Sequence, residues 1–147
     1  MKSYVVTFFL FVSVLLFATC NKPIKDNMKD LDQNMLDLGL YHDNLGIHLR
    51  KGEIDYSLWL LEGMDSCLLV IGAGFAEHPK LHIPFEKEYR KQLRPSIRGM
   101  RKALDENNIP AAINAYRILT NKCNGCHVDH DVPKEVMDLS HPSYNDL

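Results

Sequence analysis

NIPAAINAYRILTNKCNGCH, residues 108–127, is the stretch that decides the fold. A helix begins near Asn108, with Pro110 in its first turn, where the missing N–H costs little. Ile113, Tyr116, Thr120, Cys123 and His127 follow at steps of three and four and form one stripe of an amphipathic helix. The stripe ends on Cys123-Asn124-Gly125-Cys126-His127, a C-x-x-C-H sequence, which is the attachment signature of a c-type haem. Two thiols at this spacing can each reach a vinyl group on one edge of a haem. The imidazole beside the second then points at the iron as proximal ligand. Because Cys123 and His127 continue the inward-facing column, the haem is expected in the interior, near the C-terminal end of this last helix. Val132-Pro133 then stops the helix, and residues 132–147 read as a C-terminal tail.

Three more helical patterns precede it, and no stretch alternates as strands do. In the first, Met28, Leu31, Met35, Leu38, His42, Leu45 and Leu49 recur at steps of three and four, and Lys51-Gly52 ends it. The second starts after Asp55, read as its N-cap, with Leu60, Met64, Cys67 and Ile71 inward and Gly72-Ala73-Gly74 as its break. A loop holding His78 and His82 follows. The third runs from about Phe85 to Leu104, with Tyr89, Leu93, Ile97, Met100 and Leu104 inward, and Pro95 should kink or split it. Four helices with short connections give an all-α, antiparallel four-helix bundle over residues 28–131, with one covalently attached haem near the end of helix four.

The N-terminus carries a different message. Residues 4–18 are almost all apolar, too few to span a bilayer comfortably, and follow Lys2. They read as the core of a signal peptide. Phe17-Ala18-Thr19-Cys20 resembles a bacterial lipobox, so residues 1–19 are expected to be removed and Cys20 acylated, with residues 20–27 as a lipidated tether. A plain secretory signal or an uncleaved anchor is the alternative. Export and haem attachment agree, since c-type haem is attached outside the cytoplasmic membrane. The cysteines divide accordingly: Cys20 to lipid, Cys123 and Cys126 to haem, and Cys67 as a buried thiol acting as a small hydrophobe. Loss of Lys2 leaves 16 Lys and Arg against 19 Asp and Glu, a net charge of −3. No basic patch argues for nucleic acid.

A four-helix bundle ending in C-x-x-C-H resembles the cytochrome c′ family, and in particular its low-spin branch. Met35-Leu36-Asp37-Leu38-Gly39, Leu45-Gly46 and Lys51-Gly52 resemble that branch's first helix, although the stop comes one residue later than its pattern. The resemblance covers about residues 28 to 130. It implies His127 as proximal ligand and Met35 as the sixth, distal ligand. Gly39 and Gly46 fit physically, because a helix against a flat macrocycle must keep neighbouring side chains small. Where the family usually has a basic residue, four after the haem histidine, this chain has Asp131; where an aromatic is common, it has His130.

The residues leave alternatives open. An inward methionine is often core filler. His42, about 10 Å further along the same face, competes with Met35 as distal ligand. Tyr116 lies on the stripe leading to Cys123 and is a candidate haem contact. Trp59 reads as core and His130 as a solvated helix-end histidine. Zinc is the rival metal, with Cys123, Cys126, His127 and His130 as ligands, though adjacent Cys126 and His127 are awkward on one tetrahedral ion.

The expectation is therefore a non-enzymatic, mono-haem c-type cytochrome carrying single electrons. It would be an exported periplasmic or outer-membrane-associated lipoprotein of a bacterium. Its partners would be a redox protein of the cell envelope and, through Cys20, the bilayer, and a homodimer is compatible with the reading. A five-coordinate haem binding NO or CO, and a zinc-binding helical module, are the competing functions.

Overall fold

The computed structural model describes residues 30–144. Cys20, Met28 and the stretches expected to be signal peptide and tether lie outside the described residues.

Helix α1 spans Leu31–Lys51. It starts where Asp30, in an extended conformation, accepts the Gln33 N–H at 2.7 Å and satisfies one of the unpaired first-turn donors. It ends at Gly52, whose φ of 73° suits a residue without Cβ. The Gly52 and Glu53 N–H groups bond back to Leu49 and His48. α2 spans Ile54–Gly74. Its N-cap position is Glu53 and not Asp55 as expected; Asp55 sits inside the first turn, where its charge favours the positive helix end.

The third expected helix is three pieces in line: α3, Phe85–Glu88; a π-helical turn, Tyr89–Leu93; and α4, Arg94–Asp105. Pro95 explains the split. In a continuous α-helix its ring would meet the carbonyl four residues back. The wider turn, closed by the Arg94 N–H on the Tyr89 carbonyl, lets the chain pass the proline and continue. α5 spans Ile109–Asp129, with Pro110 in its first turn and the Asn108 side chain accepting the Ala111 N–H.

The described residues contain helices and no strand. α1 contacts α2, α2 contacts α4, α4 contacts α5, and α5 returns to α1, closing a ring around one core. Leu45, Leu49, Leu61, Met64, Ile71, Ile97, Met100, Leu104, Tyr116 and Leu119 form its centre, each essentially without solvent contact. α2 is long and apolar enough to cross a membrane by composition. Yet Leu60, Leu61, Met64, Leu68 and Ile71 bury one side of it in this core.

Two expectations need correction. Trp59 is not core: it is 55% exposed on the outer side of α2, stacked on Tyr56 at 5.4 Å. The residues after α5 do not trail away; they fold back along it and bury Leu139 and Ser140.

Candidate functional site

Cys123, Cys126 and His127 lie together on the last turns of α5, all partly buried, with Cys123 packed against the core. Neither cysteine is disulfide-bonded. Burial pushes the Cys123 thiol up to about 12, and the neighbouring Cys126 adds to the effect. Cys126 rises to about 11, again mainly through burial, then through Glu88 and Asp129. Both are therefore held as neutral S–H groups.

His127 has a defined tautomer. Its Nδ1 lies 2.6 Å from the Lys134 carbonyl oxygen. A carbonyl can only accept, so Nδ1 carries the proton and donates it, and the neutral ring keeps its lone pair on Nε2. That is the arrangement of a metal-ligating histidine, in which a backbone acceptor on one nitrogen orients the other.

The carbonyl is there because the C-terminal segment is clasped by Asn124, inside the C-x-x-C-H motif. Its Nδ2 donates to the Val136 carbonyl at 3.0 Å, and its Oδ1 accepts the Val136 N–H at 2.7 Å. Further along, Arg117 Nε meets Asp138 at 3.1 Å, and Arg50 donates to the Leu139 carbonyl at 2.9 Å. The Asp138 carboxyl is partly buried, which works to raise it. Hydrogen bonds from Ser140 and Arg117 outweigh this and hold it below its ordinary value. Sequence reasoning missed Asn124, Lys134 and Val136. Nothing in residues 132–147 carries a helical or strand period that would mark them as docked.

Met35, on α1, is half-buried against the core. His42, two turns on, is 2% exposed and committed to another network. Its Nε2 lies 2.9 Å from Thr120 Oγ1, while the Thr120 hydroxyl donates to the Tyr116 carbonyl at 3.0 Å. With its one proton used there, Thr120 accepts from His42, so Nε2 of His42 carries a proton. Nδ1 lies 3.2 Å from both Asp43 and the Tyr116 hydroxyl. A metal at Nε2 would have to displace the Thr120 bond.

Tyr116 is fully buried, stacked on His42 at 4.6 Å, with its hydroxyl donating to the His42 carbonyl at 3.1 Å. Burial, reinforced by Asp43 and Asp138, pushes its phenol far above the ordinary range. Gly46 faces this ring: a Cβ there would meet the Tyr116 hydroxyl oxygen at 2.5 Å and the Ser140 nitrogen at 3.1 Å. Tyr116 and the returning C-terminal segment thus account for the glycine. At Gly39 a Cβ would meet nothing within 4 Å.

His130, expected in solvent, is 7% exposed. The loop between α2 and α3 covers it, and the His82 N–H donates to its Nδ1 at 2.9 Å. The same loop reaches α1, where Lys80 pairs with Asp32 at 2.6 Å. The starts of α1 and α3 and the end of α5 are thereby gathered at one end of the protein. Among the described residues no cluster of three or more His, Cys, Asp or Glu side chains is arranged to hold a metal ion by itself.

Comparison with known proteins gives no match: no family model, curated protein or solved structure is similar to this chain.

Proposed function

We propose that this protein is a mono-haem c-type cytochrome that carries single electrons, and that it belongs with the low-spin cytochromes c′ it resembles in sequence. The observation that carries the reading is the state of the C-x-x-C-H turn. Two neutral thiols, three residues apart, adjoin an imidazole whose Nδ1 proton is held by the Lys134 carbonyl and whose Nε2 lone pair is left for iron. The two thiols would hold the macrocycle through thioether links to its two vinyl groups. The bound haem supplies the Fe(III)/Fe(II) couple.

The chain's own residues then do three things. Cys123 and Cys126 would fix the macrocycle to α5. His127 would be one iron ligand, its ring held by the Lys134 carbonyl. Met35 would be the other. The helices form an antiparallel bundle in this reading, and the α1–α5 pairings support Met35 over His42. His42 pairs with Thr120 and Gly46 with Tyr116, so positions rise along α1 as they fall along α5. Seven residues before His42, Met35 comes level with the Cys126–His127 turn, whereas His42 is level with Thr120 and already bonded to it. A methionine–histidine pair favours the ferrous state and raises the potential. With both residues as ligands, rearrangement between oxidation states would be small.

Against a zinc module stands the adjacency of Cys126 and His127, which makes the two awkward as joint ligands of one tetrahedral ion. Export, acylation of Cys20 and a redox partner in the bacterial envelope belong to the same proposal.

The test is the mass and optical spectrum of the protein produced with a c-haem maturation system. A covalent haem, sharp low-spin bands, a methionine-to-iron charge-transfer band and indifference to CO are expected. Met35→Ala should convert the spectrum to high spin, and His42→Ala should leave the axial bands in place. A colourless protein refutes the cytochrome reading. A high-spin wild-type spectrum that shifts with CO replaces electron transfer with gas binding.

A further inference from the structure

Among the described residues, His130 Nε2 is the one buried side-chain nitrogen or oxygen without a hydrogen-bond partner. Its chemical character follows from the other ring nitrogen. Nδ1 faces the His82 backbone N–H at 2.9 Å, and a backbone N–H can only donate. Nδ1 is therefore the acceptor, and the neutral ring carries its proton on Nε2. The result is a buried N–H donor with nothing to donate to, which native proteins rarely tolerate without a bound molecule to complete it.

His130 stands four residues after Cys126 and three after His127, the spacings that make side chains neighbours on a helix face. Its own N–H bonds back to the Cys126 and His127 carbonyls, so it caps the attachment turn itself. The intervening Val128 and Asp129 are exposed, while His130 is covered. The two histidines present opposite polarity at Nε2: His127 a lone pair, suited to iron, and His130 a proton, suited to an anion. A haem brings both an iron and two propionate carboxylates. The carboxylate of Asp131, 88% exposed, cannot serve a propionate.

We propose that His130 is a second haem-binding residue, donating its Nε2–H to a haem propionate. This rests on the haem reading above. The donor offsets part of the propionate's negative charge, which disfavours the ferric state and raises the midpoint potential.

The test uses the haem-loaded protein and three variants. His130→Phe keeps an aromatic ring and removes the donor. His130→Gln keeps an N–H near the Nε2 position. His82→Ala keeps the backbone N–H and removes the half-exposed ring, which lies 5.7 Å from the His130 ring and 3.8 Å from the Asp131 carboxylate, and so controls for those two contacts. Midpoint potential and the propionate bending band in resonance Raman are read for each. His130→Phe should lower the potential and shift the band, His130→Gln should recover most of both, and His82→Ala should match wild type.

If His130→Phe gives wild-type potential and an unshifted band, the nitrogen is completed by something other than haem, such as a buried water, and the proposal is overturned. Should that variant fail to fold, His130→Gln decides: a band at the wild-type position upholds the proposal, and a band shifted as for an unbonded propionate overturns it. If the wild type takes up no haem, it is the cytochrome reading that has failed, which the mass of the wild type shows before any variant is made.

Discussion

Asn124→Ala should loosen the C-terminal segment and with it the fixing of His127. One side chain makes two hydrogen bonds to Val136, at 3.0 and 2.7 Å, and both are partly buried. Each contributes about 0.5–1.5 kcal/mol net, so the clasp is worth roughly 1–3 kcal/mol. Alanine returns up to about 0.7 kcal/mol as the better helix former. Asn121→Ala, at an exposed position of the same helix with no side-chain hydrogen bond, returns the same amount and isolates the clasp by difference. For a domain of this size the difference corresponds to on the order of 5–10 °C in melting temperature. Circular dichroism melts of the haem-free variants measure it. Tryptic cleavage after Lys134, an exposed residue in the clasped segment, should also become fast in Asn124→Ala alone. Equal melting temperatures and equal cleavage in the two variants would refute the claim that Asn124 holds this segment.

Gly46→Ala should cost about 0.5–2 kcal/mol, because the overpacking against Tyr116 exceeds the gain in helix propensity, whereas Gly39→Ala should gain about 0.5–1 kcal/mol; denaturant midpoints of the two variants must move in opposite directions. The Asp138 carboxyl lies below its ordinary value of 3.8 when folded, so its contribution is present above that pH and lost as pH falls through the folded value. Protection of the residue 132–140 amides against hydrogen exchange, taken relative to the unfolded chain at the same pH, should accordingly hold down to about pH 4 and fall below it, and unchanged protection at pH 3 would exclude the linkage. Alkylation of Cys123 and Cys126 in the haem-free protein at pH 8 should be slower than in the unfolded chain by on the order of a hundredfold or more, since thiols raised from 9.0 to about 12 and 11 leave little thiolate. Mass spectrometry after timed iodoacetamide treatment reads both sites.

Much of the architecture was legible in the chain because helices write their buried face locally, at steps of three and four. The stripe Leu31, His42, Leu45 and Leu49 is buried, as are Tyr89, Leu93, Ile97, Met100 and Leu104. The stops at Gly52 and the trouble at Pro95 follow from single-residue backbone chemistry. Trp59 went astray because one position of rotation around α2 separates it from buried Leu60, a difference that depends on which side α1 approaches. Gly46 was read as making room for a macrocycle, but its neighbour is Tyr116, 70 residues away in sequence.

By itself the sequence determined which atoms stand ready for chemistry: two thiols and an imidazole, spaced by the helix that carries them. Tertiary structure decided their state. The Lys134 carbonyl, brought back by the Asn124 clasp, puts the His127 proton on Nδ1, and the His82 N–H, delivered by a loop 48 residues upstream, puts the His130 proton on Nε2. Helix periodicity is a local property and can be read in order along the chain. A tautomer is set by whichever backbone group arrives from elsewhere, and only the folded chain specifies that.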